Sequence, residues 1–287
     1  MSARTDGKTR LLDPLKWLTN NGAAVDEQPT RIPDTSFRIA SYNVLGHHLT
    51  APGGGRPGFA PGTTRVANGL ARVEGSEASI VVFNEFESPQ AGVVLGDGDW
   101  ALHRATLNNT FRDGNGSGNA IAWRKDTWKL VASTEFTVPW QVTLHMPVIR
   151  LEHVRTGAQI IVIGVHNPAS TSVKGNQAGS RAVARQIELA YITDLKATMP
   201  GVPILLAGDM NERNEAFCGF TVGGMLRSSA GGSVGAPCRV PRHGPVDWIF
   251  GTTDVTFGGQ VIDRSTLGSV SDHPLLSASV TIPEQQR

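Results

Sequence analysis

Polar residues stand repeatedly at the ends of apolar runs in this chain. Asn43 closes the run FRIASYNV (37–44), and Glu85 lies in SIVVFNEFES (79–88). His166 follows QIIVIGV (159–165), and Asp209 with Asn211 follows PILLAG (203–208). Asp247 opens VDWIFG (246–251), and Asp272 with His273 precedes LLSASVTI (275–282). One Asp or Asn after a strand is ordinary turn chemistry. Repetition along the whole chain asks for more, because a carboxylate at the end of a buried strand costs desolvation unless a partner or a cation answers it. Together these residues make a coherent set. Carboxylates suit Mg²⁺, Mn²⁺ or Ca²⁺. Histidines serve as acid or base near neutral pH. Amides orient a nucleophile or a phosphate oxygen.

The elements that must position them are mostly strands. Further strands are predicted at 119–124, 128–138 and 147–154, and helices at 63–75, capped by Thr63 or Thr64, and at 180–199, with Val183, Ile187, Ala190 and Tyr191 on one side. Segments 51–62 and 107–119 are Gly-rich loops. Several strands precede the long helix and the rest mix, which predicts a layered α/β fold with mixed sheets. Residues 1–35 are polar around a weak apolar cluster (Leu11, Leu12, Leu15, Trp17, Leu18) and read as a tail or a short docking segment, with one domain over 36–287.

Composition sets limits. With 39% hydrophobic and 18% charged residues in 287, the chain can bury a core and is not a solvated coil. Its apolar runs are too short to span a bilayer, so no transmembrane segment is expected, and the N-terminus lacks a signal-peptide apolar region. A net charge of +1 announces no polyanion coat, so any nucleic-acid surface must be local. Aromatic residues at 6% are too sparse for a wide base-stacking platform. Two cysteines, Cys218 and Cys238, exclude a disulfide scaffold and a Cys-rich zinc site, and leave either one bridge or two thiols.

In order, SYNV, VVFNEFES, IVIGVHNPAS, LLAGDMNE, VDWIF and SVSDHP resemble the endonuclease/exonuclease/phosphatase superfamily, nearest its deoxyribonuclease I-like branch, over about residues 37–282. The resemblance implies a four-layered α/β sandwich: two mixed β-sheets packed face to face, helices outside, and the site at one end. It implies Glu85 as principal metal ligand with Asn43 beside it, and Asp272 near the same or a second metal. Asp247 would fix the tautomer of His273, which acts as general base or binds the phosphate. Asp209 and Asn211 would orient water and phosphate. His166 would stabilise the phosphorane or protonate the leaving oxygen, and its presence sets the chain apart from abasic-site endonucleases, which carry Tyr there. The resemblance also implies a Cys218–Cys238 disulfide and, with it, an extracellular setting.

Departures are specific. The usual Gln before the metal Glu is Asn84. The stretch that supplies a Glu partner to the histidine in the deoxyribonuclease branch offers only Ser117 and Asn119. Glu87 is either a helper at the metal or a solvated strand-end residue. Substrate contacts are expected from Arg112, Arg239 and Arg242, with His243, Arg181 and Arg185 as further candidates. The remaining histidines, His47, His48, His103, His145 and His153, are read as surface residues. The expected activity is a Mg²⁺-dependent phosphodiesterase (Mn²⁺ or Ca²⁺ as alternatives), a monomeric DNA endonuclease. The rival readings are a hydrolase of sphingomyelin-like lipid or inositol phosphate, and a catalytically retired binding protein.

Overall fold

The computed structural model describes residues 31–107 and 118–286. Two six-stranded mixed sheets dominate it. The first has the order β12 (Thr256–Asp263), β13 (Leu275–Ile282), β2 (Thr35–Asn43), β3 (Ile80–Phe86), β5 (Gly118–Arg124), β4 (Trp100–Arg104). The second runs β10 (Leu226–Ser228), β11 (Asp247–Thr252), β9 (Ile204–Asp209), β8 (Gln159–His166), β7 (Leu144–His153), β6 (Trp128–Val138). A short pair, β1 (Arg31–Ile32) with β14 (Gln285–Gln286), joins the two ends of the described chain. The expected tail therefore becomes strand by Arg31, and its residues 1–30 lie outside the described residues.

Alternation along the strands divides side chains between three apolar layers. Ile39, Ile80, Val82, Ile121, Ile160, Val162, Leu205 and Ile249 fill the space between the sheets. The opposite faces of the same strands are covered by helices. On the first sheet, Val81 and Phe83 pack with Val66, Leu70 and Val73 of α2 (Gly62–Gly75) and Val94 of α3 (Ser88–Gly96). On the second, Ile163, Leu206 and Phe250 pack with Ile192 and Leu195 of α4 (Ala178–Thr198) and Phe217 of α5 (Asn214–Thr221). Helix, sheet, sheet, helix is the four-layered sandwich. A single turn, α1 (His47–Thr50), follows β2.

Several local expectations are corrected. Helix α2 starts after Pro61 with no side-chain cap, so neither Thr63 nor Thr64 caps it. Helix α4 buries Ala184, Glu188, Tyr191 and Leu195, while Val183 is 44% exposed. Tertiary packing turned the helix away from the most apolar reading and put a carboxyl inside. Strands β4 and β12 and helices α3 and α5 were not anticipated. The edge strand β12 carries Gly258 and Gly259 at an irregular step and is largely exposed, so it lacks the apolar alternation that marks a strand.

Candidate active site

The paired strands β2 and β3 run parallel, as do β8 and β9, so their C-terminal ends lie together. In the second sheet the register sets His166 opposite Asp209 and Asp209 opposite Asp247. The three side chains thus form one row facing the space between the sheets. In the first sheet Asn43 stands opposite Asn84. Strict alternation would point Glu85, the next residue, away into the helix layer. It does not, because Glu85 adopts φ 53° where the β3–β5 register shifts between Phe83 and Phe86. A bulge of this kind re-aims a side chain. Asn211 (φ 51°) and Leu45 (φ 57°) share this sparsely populated backbone region, so three strained non-glycine residues border the site.

Asp209 is the hub. It is 1% exposed. Its Oδ2 accepts from Asn43 Nδ2 at 3.2 Å and lies 3.6 Å from Nε2 of both His166 and His273. Asn43 Nδ2 also meets Glu85 Oε1 at 3.2 Å, and Gly46 N donates to Glu85 Oε2 at 3.1 Å. Burial alone would raise the Glu85 carboxyl. The His166 charge, the donors Gly46 and Asn43, and the His273 charge outweigh it and hold Glu85 below its ordinary value. His273 Nδ1 donates to both Asp247 oxygens at 3.0 Å. Burial opposes a charged imidazole there, but the Asp247 hydrogen bond and the charges of Asp247, Asp209 and Asp272 push His273 up to about 10. Ser271 Oγ donates to Asn43 O at 2.6 Å and accepts from His273 N, which ties the His273 loop to β2.

Amides join the sheets. Asn84 Oδ1 accepts from Asp209 N, and its Nδ2 donates to Val165 O and Asn119 Oδ1. The short amide at position 84 is a cross-link behind the site. Asn119 donates to His145 O, so it is engaged away from His166. The carboxylate that meets His166 is Asp209. Gly208 is required beside it: a Cβ there would sit 1.9 Å from Val165 O. Arg65 is fully buried and donates to carbonyls of Val44, Leu45, Gly46 and Val270, thereby anchoring the two loops that carry the Glu85 donor and His273. Neither Arg65 nor Ser271 stood out in sequence. A lone Arg in an amphipathic helix and a Ser in a loop carry no signal until the chain brings distant carbonyls to them.

Not every candidate gathers here. Asp272 is exposed and pairs with Arg56 at 3.3 Å on the rim, outside the buried cluster. Glu87 is fully buried, accepts from His48, and forms a capping box with Gln90 at α3, so it is neither solvated nor turned to Glu85. Arg181 and Arg185 both bond Glu212, and Arg181 is buried. Arg239 and Arg242 are exposed on the loop before Asp247, and Arg112, like Ser117, lies outside the described residues. His243 is buried, donating from Nε2 to Asp247 O and stacked on Trp248. His48 pairs with Glu87, His145 with Glu135, and His153 is buried against Trp128, so these three are not free surface side chains. Cys218 and Cys238 form a disulfide.

Asp209, Asp247 and His273 present ligand atoms within 4.8 Å of one another. With Glu85 and Asn43 adjoining, the donor set is oxygen-rich, acidic and mostly buried, and fits a hard divalent cation. Asp247 is already committed through both oxygens to His273, which leaves Glu85 and Asp209 as the carboxylates more available to such an ion.

Structures of similar fold carry varied activities. A mannosyl-6-phosphatase from Bacteroides thetaiotaomicron superposes with a TM-score of 0.65 at 15% identity, covering 85% of this chain and 99% of that one. The human Nocturnin catalytic domain with bound sulfate gives 0.65 at 17% identity, covering 88% and 96%. D. rerio TDP2 complexed with single-strand DNA product gives 0.62 at 14% identity, covering 86% and 99%. Among curated proteins none matches the sequence significantly. The family model for Endonuclease/Exonuclease/phosphatase matches residues 40–273, a span that includes every residue of the row described above. The chain is a member of the endonuclease/exonuclease/phosphatase family.

Proposed function

We propose that the protein is a Mg²⁺-dependent phosphodiesterase that cuts DNA internally. The observation that carries this reading is the convergence of Glu85, Asn43 and Asp209 with the Asp247–His273 pair at one mouth of the sandwich. Glu85 and Asn43, with Asp209, would hold the cation, which supplies charge neutralisation at the phosphate and acidifies water. Asp247 holds the proton of His273 on Nδ1; with a cation offsetting the carboxylate charges that raise His273, its Nε2 would be free to face the reacting water and accept its proton. Asn211 and Asp209 orient water and phosphate. His166, across the rung from Asp209, would stabilise the phosphorane or protonate the leaving oxygen. Water attack in line gives inversion at phosphorus and a 5′-phosphate product.

DNA is favoured over other phosphoesters by the exposed Arg239 and Arg242 beside Asp247 and by the TDP2 relative with its DNA product. No described helix is long and apolar enough to cross a membrane. The disulfide favours an oxidising, extracellular setting, and a monomer suffices for this chemistry. The test is nicking of supercoiled plasmid with Mg²⁺, with EDTA and His273→Ala as controls. Nicking that needs both metal and His273 supports the reading. No nicking by folded protein, with turnover of a sugar phosphate or a phospholipid instead, refutes DNA as substrate.

A further inference from the structure

A buried polar chain lies behind Asn211, on the face of the second sheet covered by α4. Asn211 Nδ2 donates to the Asn167 carbonyl at 2.9 Å, and Asn167 N donates to Asp209 O at 2.8 Å. The Asn167 side chain turns inward, where its Nδ2 meets Glu188 Oε2 at 3.4 Å. Asn167 is 2% exposed and Glu188 1%. Two atoms of this contact have no hydrogen-bond partner: Asn167 Oδ1 and Glu188 Oε1. With Glu188 ionised, both are acceptors and neither meets a donor. A buried acceptor without a donor costs about 1–3 kcal/mol. One proton on Glu188 Oε1 would remove both orphans, since an amide and a carboxylic acid face to face share two hydrogen bonds where an amide and a carboxylate share one.

We propose that Glu188 is a positioning residue for the cleft: as a neutral acid it clamps Asn167, whose carbonyl fixes the Asn211 amide. The surrounding charges agree. Arg185, one turn away on α4, and Arg181 are both bonded to Glu212 from the segment after β9. No ion pair reaches Glu188 among the described residues. Tyr191, on the same helix, also has a buried hydroxyl without a partner, and His166 lies beyond Asn167 on the inter-sheet face. Burial raises Glu188 to about 8, against the Asn167 bond and the Arg185 charge and with the Glu212 charge. At higher pH the donor to Asn167 Oδ1 disappears, and the hold on Asn211 loosens. In Glu188→Gln the side-chain amide should donate to Oδ1 and accept from Nδ2 at every pH, and so mimic the neutral acid.

The role in turnover rests on the phosphodiesterase reading; the protonation does not. Rates on bis(p-nitrophenyl) phosphate with Mg²⁺ are compared across pH for wild type, Glu188→Gln and Glu188→Ala. Wild-type kcat is expected to fall with a midpoint near 8. Glu188→Gln should stay within about threefold of wild type at neutral pH and lose that fall, while Glu188→Ala loses about tenfold or more in kcat with little change in KM. A fall near the same pH that persists in Glu188→Gln overturns the proposal, as does wild-type kcat in Glu188→Ala. If wild type turns over no phosphoester, the functional reading fails, and difference infrared spectroscopy decides Glu188 separately. A protonated-carboxyl band at neutral pH, lost on alkaline titration and missing from Glu188→Gln, sustains its neutral state. Absence of that band from wild type overturns it.

Discussion

Replacing Asp247 by Asn should uncouple His273 from its present protonation. His273 is lifted from 6.5 to about 10, although burial alone would lower it. That rise favours the imidazolium, while burial pushes its partner Asp247 up to about 6, so the pair as a whole gains less than His273 alone indicates. Asp247 supplies both the hydrogen bond and the strongest carboxylate charge acting on His273, and a bond to a charged partner is worth about 1.5–3 kcal/mol before longer-range attraction. In Asp247→Asn the imidazole should therefore titrate about 2–3 pH units lower. Stability follows with a definite sign. A raised imidazole contributes stability that is complete below 6.5 and is lost as pH climbs through about 10. The variant should be destabilised by about 3 kcal/mol at neutral pH, the order expected when one partner of a buried pair is removed, and this deficit should shrink in alkali. Activity should fall about 10³–10⁴-fold, because an Asn amide that donates to Nδ1 forces the proton onto Nε2, the wrong tautomer for a base. The assay is nitrogen-detected NMR titration of the imidazoles in EDTA, with His273 assigned by its absence from His273→Ala, alongside denaturant unfolding and plasmid nicking. An imidazole still titrating near its wild-type value in Asp247→Asn, or a rate loss under about tenfold, would refute this reasoning.

Glu85→Gln should shift the Mg²⁺ dependence of activity to higher concentration, and an unchanged titration removes Glu85 from the cation's donors. Gly208→Ala should be severely destabilising or fail to fold, since its Cβ meets Val165 O in the parallel β8–β9 pair; thermal unfolding at the wild-type midpoint would contradict that close approach. Reduction of Cys218–Cys238, which spans 20 residues, should cost about 3 kcal/mol by the chain-entropy model. Denaturant unfolding with and without reductant measures it, and equal midpoints would show that the bridge does not constrain the unfolded chain.

The sequence by itself determined the architecture and most of the strand ends. Strands β6 and β13 occupy the predicted residues, because a half-buried strand writes its faces in alternation and its stops in Gly, Pro and Asp. The motifs that carry Asn43, Asp209, Asp247 and His273 were legible because each polar residue borders an apolar run at a strand end. The structure brings these together with His166 and leaves Asp272 on the rim. What alternation could not say is where Glu85 points: residues 84 and 85 face opposite ways in any regular strand, and only the bulge at φ 53° re-aims the carboxylate toward Asn43. Nor does local sequence reveal that Arg65 reaches the carbonyls of two loops, that Asn84 joins the sheets, or that Glu188, on a helix whose apolar stripe read otherwise, lies sealed behind Asn211. Those roles depend on groups 19 to 205 residues apart in the chain. Local sequence encodes backbone preference and burial pattern. The partners of a buried polar atom are chosen only when the layers close and water leaves.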